Sequence, residues 1–269
     1  MTNKNRLSSI ALATAIAILF FYSQAMAGLV IERIHSPGIN PDKNKATKMV
    51  GYFKSNKVKT VEPDGSYTIV DLKTGTVTLV DPQKREYSVT TLDEMLNQMQ
   101  KGMNRLKAHL EGLNPEQRAM LEKMMGMSQK GKKRLQLKKL ADKQRIAGYD
   151  AEHFAITQGN KKIAEYWVSK QLRDKILKEL DRDKIDKFEK AMSNISSQLN
   201  IFGNSNMAEL MKMEEKLQKR GEIVKQIHYP SSLNMNMQGS YQEVVSVKEE
   251  TIPASAFQIP RGFKKAKLE

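Results

Sequence analysis

Cysteine is absent from this 269-residue chain, tryptophan occurs once, and aromatic residues make up only 6%. Without cysteine there is no disulfide, no thiolate metal site and no thiol nucleophile, so stability rests on side-chain packing. No Gly-rich phosphate loop or G-x-S-x-G elbow occurs, and the four histidines (His35, His109, His153, His228) show no helical zinc-pair spacing. The usual sequence traces of NTPases, α/β-hydrolases and zinc hydrolases are therefore missing. The expectation is a protein that is not an enzyme and carries no metal or cofactor. A Ser-His-Asp set assembled from distant positions is the catalytic alternative left open.

What is present begins with a leader. Lys4 and Arg6 precede an apolar run from Ile10 to Tyr22, and Ala25-Met26-Ala27 sets small residues just before Gly28. This is the pattern of a secretory signal peptide over 1–27, cleaved after Ala27. An uncleaved anchor is the other reading, which the shortness of the run disfavours. No cysteine follows for lipid attachment and no later run is long enough to span a bilayer, so the mature chain 28–269 is expected to be exported, soluble and not an integral membrane protein.

The net charge of +15 loses only Lys4 and Arg6 with the leader. In a cytoplasmic protein such an excess would point first to nucleic acid, through counterion release from phosphates. Export turns it instead toward anionic envelope components, with a merely solvated basic surface as the plain alternative. Nucleic acid is not an expected partner. The densest basic stretch, including Lys130, Lys132, Lys133, Arg134, Lys138 and Lys139, is the candidate anion-docking surface, in an exposed connector leading into an edge strand.

Between Lys48 and Thr90, short alternating segments are separated by turn residues at Pro63-Asp64-Gly65, Lys73-Thr74-Gly75 and Asp81-Pro82. This predicts an antiparallel meander with one apolar face. At Thr91 the period changes. Thr91 and Glu94 have capping-box spacing, and Leu92, Met95, Leu96, Met99, Met103, Leu106 and Leu110 recur at three- and four-residue steps. Asn114-Pro115-Glu116-Gln117 then caps a second helix, giving a helical insertion over 91–127. Strands are expected from Ile146 to Val168, a long helix from Leu172 to Phe202, another from Asn206 to a stop at Gly221, and strands over Glu222–Tyr229 and Ser240–Val247. The block 171–220 is thus a second helical region inside one domain, 28–269.

Sixteen methionines stand against no cysteines. Methionine at helical spacing reads as core filler, as an adaptable surface for apolar ligands, or as a soft Cu(I) site. Trp167, closing a strand ahead of the second helical block, reads as a core anchor or as a ligand platform.

Several phrases in order, Lys48-Met49-Val50-Gly51-Tyr52, Ile146-Ala147-Gly148-Tyr149, Glu165-Tyr166-Trp167-Val168, Gly221 to Ile227 and Ile252-Pro253-Ala254-Ser255-Ala256-Phe257-Gln258-Ile259-Pro260-Arg261-Gly262-Phe263, resemble a family of exported bacterial proteins of unknown function. The fold of that family is related to LolA, the periplasmic lipoprotein carrier. The resemblance implies an α+β fold, a curved antiparallel sheet forming an unclosed half barrel, with helices packed on its concave face around a hydrophobic cavity. The expected function is a noncatalytic periplasmic carrier or binding protein for an apolar, acyl-chain or lipid-like ligand. Met95, Met99, Met103, Trp167, Phe188 and Met192 are the candidate cavity residues. The alternative is a structural or stress-related envelope protein whose helices fill their own cavity and whose basic face binds anionic partners.

Overall fold

The computed structural model describes residues 27–42, 45–117, 120, 134–187, 189–190, 205–230 and 239–266. Residues 1–26 of the segment expected to be a leader, and Lys130, Lys132, Lys133, Phe188 and Met192, lie outside the described residues.

Six strands come first: β1 (Ala27–Pro37), β2 (Thr47–Lys54), β3 (Lys57–Val61), β4 (Tyr67–Asp71), β5 (Thr76–Asp81) and β6 (Glu86–Thr91). Helix α1 (Leu92–Glu111) follows, then β7 (Leu135–Ile146), β8 (Tyr149–Gln158), β9 (Lys161–Ser169), α2 (Lys170–Glu179), α3 (Ser205–Arg220), β10 (Glu222–His228), β11 (Ser240–Thr251) and the two-residue β12 (Lys264–Lys265). All twelve strands form one open sheet in the order β12-β6-β5-β4-β3-β2-β1-β11-β10-β9-β8-β7. Every neighbouring pair is antiparallel except β12, which runs parallel to β6, so the sheet is mixed. The class is α+β with a sheet not closed into a barrel.

The local signals read from the sequence take their expected forms. In the β3–β4 turn Glu62 N–H donates to Ser66 O at 2.8 Å, and Gly65 adopts φ +86°. Two expectations are corrected: the basic stretch, expected as a connector, is strand β7 from Leu135 to Ile146, and Ala147-Gly148, expected within a strand, is the β7–β8 turn, both residues at positive φ as a two-residue type I′ turn requires. Thr91 and Glu94 exchange reciprocal bonds at 3.0 Å, and Gln117 N–H donates to Asn114 Oδ1 at 2.8 Å, so both predicted caps form.

Other features needed the whole chain. Strand β1 showed no alternation because it is the middle of the sheet, between β2 and β11, and its Leu29, Val30 and Ile31 are all buried. The long helix expected from Leu172 stops early, with Leu180 extended (φ −126°, ψ 145°). Asp181 then starts a new helical segment by accepting from Lys184 N–H, while its own N–H donates to Asn56 Oδ1 in the β2–β3 turn. Tertiary docking of that turn outweighs the helical period. Helix α3 does end before Gly221, but a left-handed cap is not the reason. An added Cβ there would lie 2.7 Å from the Ser169 carbonyl and 2.8 Å from Lys170 N, so glycine permits the ends of β9 and α3 to cross.

Three apolar clusters hold the fold. Leu172, Ile176 and Leu180 from α2 pack with Trp167, Ala151, Leu29, Ile31 and Val244. Leu210 and Leu217 from α3 pack with Tyr166, Val168, Phe154 and Ile156. Because Trp167 and its neighbours Tyr166 and Val168 point to opposite sides of β9, the two helices cover opposite faces and β9 is buried on both. The third cluster joins Tyr67, Ile69 and Val80 to Phe257 and Phe263 of the C-terminal segment. That segment crosses the meander as a strap. Ile252 seats against Gly28, Lys59 Nζ donates to Ala256 O at 3.0 Å, and β12 pairs with the edge of β6.

Candidate functional site

Helix α2 packs on the Trp167 side of the sheet. Leu172 is fully buried, and Ile176 and Leu180 are nearly so, against the Trp167 side of the sheet. Trp167 is 7% exposed. Its ring stacks on His153 of the neighbouring strand, centroids 4.0 Å apart and planes 11° from parallel, with Lys225 Nζ 4.5 Å from its centroid. This indole packs in the core, covered by the helix following its own strand.

A polar ladder crosses the sheet beside it. His153 Nδ1 lies 2.7 Å from Asp142 Oδ2 on β7, and His153 Nε2 lies 3.2 Å from Glu165 Oε1 on β9, close enough for ionic attraction but misaligned for a hydrogen bond. Glu165 also accepts from Lys162 Nζ at 2.8 Å and from the Tyr229 hydroxyl. Burial pushes the Glu165 carboxyl up, but the bonds from Lys162 and Tyr229 outweigh it and hold the group below its ordinary value of 4.5. A depressed folded value means stability that is present above the unfolded value and lost as pH falls through the folded one. Unfolding by urea is therefore expected to become easier below about pH 4.5, and a Glu165→Gln variant should show a shallower loss between pH 7 and pH 3.5. On the other face, the buried Tyr166 hydroxyl donates to Glu214, with His228 Nε2 2.9 Å away, and burial together with Glu214 pushes its phenol well up. Both groups act as struts between elements.

Large apolar side chains stand exposed at Leu79 on β5, Val245 on β11, Met120 and, on α1, Met99. This helix packs mainly on β6, and along its stripe Met95 and Met103 are half-buried while Met99 is 39% exposed. None of the three joins a core cluster, and no methionine is among the buried residues described. Aliphatic side chains from α2 and α3 occupy the core clusters, with Met213 packed half-buried against one of them and the three α1 methionines outside. At the base of α1 a groove of about 400 Å³ opens between the β4–β5 turn, the start of the helix and the segment after α2. Leu72, Leu92 and Leu96 line it with Lys73, Lys184 and Lys187. Lys184 is fixed there by donating from Nζ to Lys73 O at 2.8 Å. These residues were not singled out from sequence. The signal that pointed to them was Leu72 just before a turn, and Leu92 and Leu96 on the same helical stripe as the methionines.

Of the candidate anion-docking residues, the described ones lie at or beside the sheet edge. Strand β7 is terminal in the sheet; Lys138 and Lys139 are exposed on it, and Lys139 pairs with Glu152. Arg134, just ahead of the strand, reaches Glu209 at 3.3 Å although its side chain is 87% exposed.

Among the described residues, no helix is long and apolar enough to cross a membrane and no three His, Asp or Glu side chains gather as a metal site. The structure is similar to that of a LolA superfamily protein from Nitrosomonas europaea, at 9% identity and a TM-score of 0.25, over 87% of this chain and 91% of that one. None of the curated proteins compared matches the chain. The model of a domain of unknown function, DUF4412, matches residues 118–263, from the end of the helical insertion through β7 to the phenylalanine that anchors the strap. With more than half of its length matched, the chain belongs to the DUF4412 family.

Proposed function

We propose that the protein is a noncatalytic binding or carrier protein for an anionic amphiphile, an acyl chain with a negatively charged head group, taken up at the base of α1. The observation that carries this reading is the groove itself: three leucines with lysines beside them, continuous with an open methionine stripe. The volume falls in the range of small-molecule sites, and adaptable thioethers suit chains of varied shape. A periplasmic setting, reached by export and removal of residues 1–27, is part of the same proposal and rests on the leader pattern.

A fluorescent fatty acid titrated into the mature chain tests it. Binding is expected for the wild type. Leu96→Asp should weaken it about tenfold or more, since burying a leucine is worth roughly 1.5–3 kcal/mol, and Lys187→Glu should weaken it severalfold by reversing a charge on the rim. Absence of uptake by the wild type would sink the reading.

One observation favours a second reading, a structural or stress-related envelope protein with a basic docking face: α2 already fills the sheet's interior, and Lys138 and Lys143 stand exposed on the edge strand. Phosphatidylglycerol vesicles in the same assay separate the two. Vesicle binding lost in a Lys138→Glu, Lys143→Glu double variant, without fatty-acid uptake by the wild type, would favour the second.

A further inference from the structure

The chain's sulfur is entirely thioether, and its placement is uneven. Met99 is 39% exposed on α1 and Met120 is 68% exposed beyond it, whereas Met213 packs half-buried against the Leu210–Leu217 cluster. The buried residues described are free of methionine, so oxygen added at Met99 or Met120 disturbs no core contact. Met99 also continues the line of Leu92 and Leu96, the helical residues of the groove, at the next turn of α1.

We propose that Met99 and Met120 are oxidation sites, converted to sulfoxides by hydrogen peroxide, and that the modification at Met99 switches off the apolar stripe of α1 as a ligand surface. The thioether sulfur attacks one peroxide oxygen; the S–O bond forms as the O–O bond breaks. The displaced hydroxide takes the proton of the transferred oxygen and leaves as water. Sulfur gives up two electrons and the peroxide accepts them. The product places a strong S=O dipole on a face that was apolar, and an acyl chain covering it has to strip its water without supplying a hydrogen bond. Exposure governs which sulfur is reached first, so the order of reaction follows from the fold. The consequence for ligand uptake rests on the groove reading; the order of oxidation does not.

The test treats the full mature chain with hydrogen peroxide and maps each methionine by peptide mass over time. Met99 and Met120 are expected to gain oxygen about fivefold faster than Met213 or more, with no change in far-UV circular dichroism. Affinity for the fluorescent fatty acid should fall about tenfold as Met99 is consumed. That peroxide-dependent fall should disappear in a Met95→Leu, Met99→Leu, Met103→Leu variant, because leucine takes up no oxygen. Oxidation of Met213 in step with Met99, or an equal fall in the leucine variant, would overturn the proposal. If the untreated protein takes up no fatty acid, the groove reading fails instead, and the order of sulfoxide formation alone decides the oxidation proposal.

Discussion

Replacing Trp167 with alanine is expected to lower unfolding free energy by about 3–5 kcal/mol, measured by urea denaturation at pH 7. The indole touches both sides of the argument for this fold. It packs with Leu172 and Ile176 from the helix and stacks on His153 from the next strand. Truncation leaves a void that the paired strands β8, β9 and β10 cannot close, and removes the ring that Lys225 faces. His153 then keeps its two carboxylate neighbours but loses its stacking partner. Phenylalanine should recover most of the loss. The Trp167 Nε1 group finds no hydrogen-bond acceptor among the described residues, so removing that buried donor leaves nothing newly unpaired and offsets part of the lost area.

The second large effect is expected at Gly221. An alanine there would bring its Cβ to 2.7 Å from the carbonyl carbon and oxygen of Ser169 and 2.8 Å from Lys170 N. These are backbone atoms of the junction where Ser169 caps α2, accepting from Leu172 N–H at 3.3 Å. A flexible side chain would give way; a paired backbone does not. We expect about 3 kcal/mol or more from Gly221→Ala, at the upper end for overpacking. Gly65→Ala should cost only about 1 kcal/mol, because φ is +86° but nothing lies within 4 Å. A result with the two reversed would show that the backbone at Ser169 and Lys170 gives way to a Cβ and that close approach is not what Gly221 supplies.

Features set by neighbouring residues were legible in the sequence. The two caps at Thr91 and Asn114 and the turn at Gly65 follow from short spacings, because their partners lie three or four residues apart. Features set by distant partners were not. Asn56 breaks the second helical block at Asp181 from 125 residues away, and no periodicity in that block announces it. The groove joins Leu72 to Leu96 and Lys187 only once the β4–β5 turn, α1 and the segment after α2 meet. The methionine stripe was visible as a stripe, but its place outside the core depended on α2 and α3 having already filled the two faces of β9. The family resemblance carried the architecture further than composition did, since the strand order pairs the start of the chain with its end.

That pairing has a kinetic meaning. Strand β1 is the first described strand and the sheet's middle; its Ala27 lies opposite Thr251, and Ile252 closes over Gly28. The central seam cannot form until β11 (Ser240–Thr251) is available, so the meander made early has no finished partner and folding is governed by long-range contacts, a slow class of reaction. A polypeptide emerging amino end first therefore stays open along its middle until almost the whole length has been delivered, and the residues around Gly28 are among the last to be sealed.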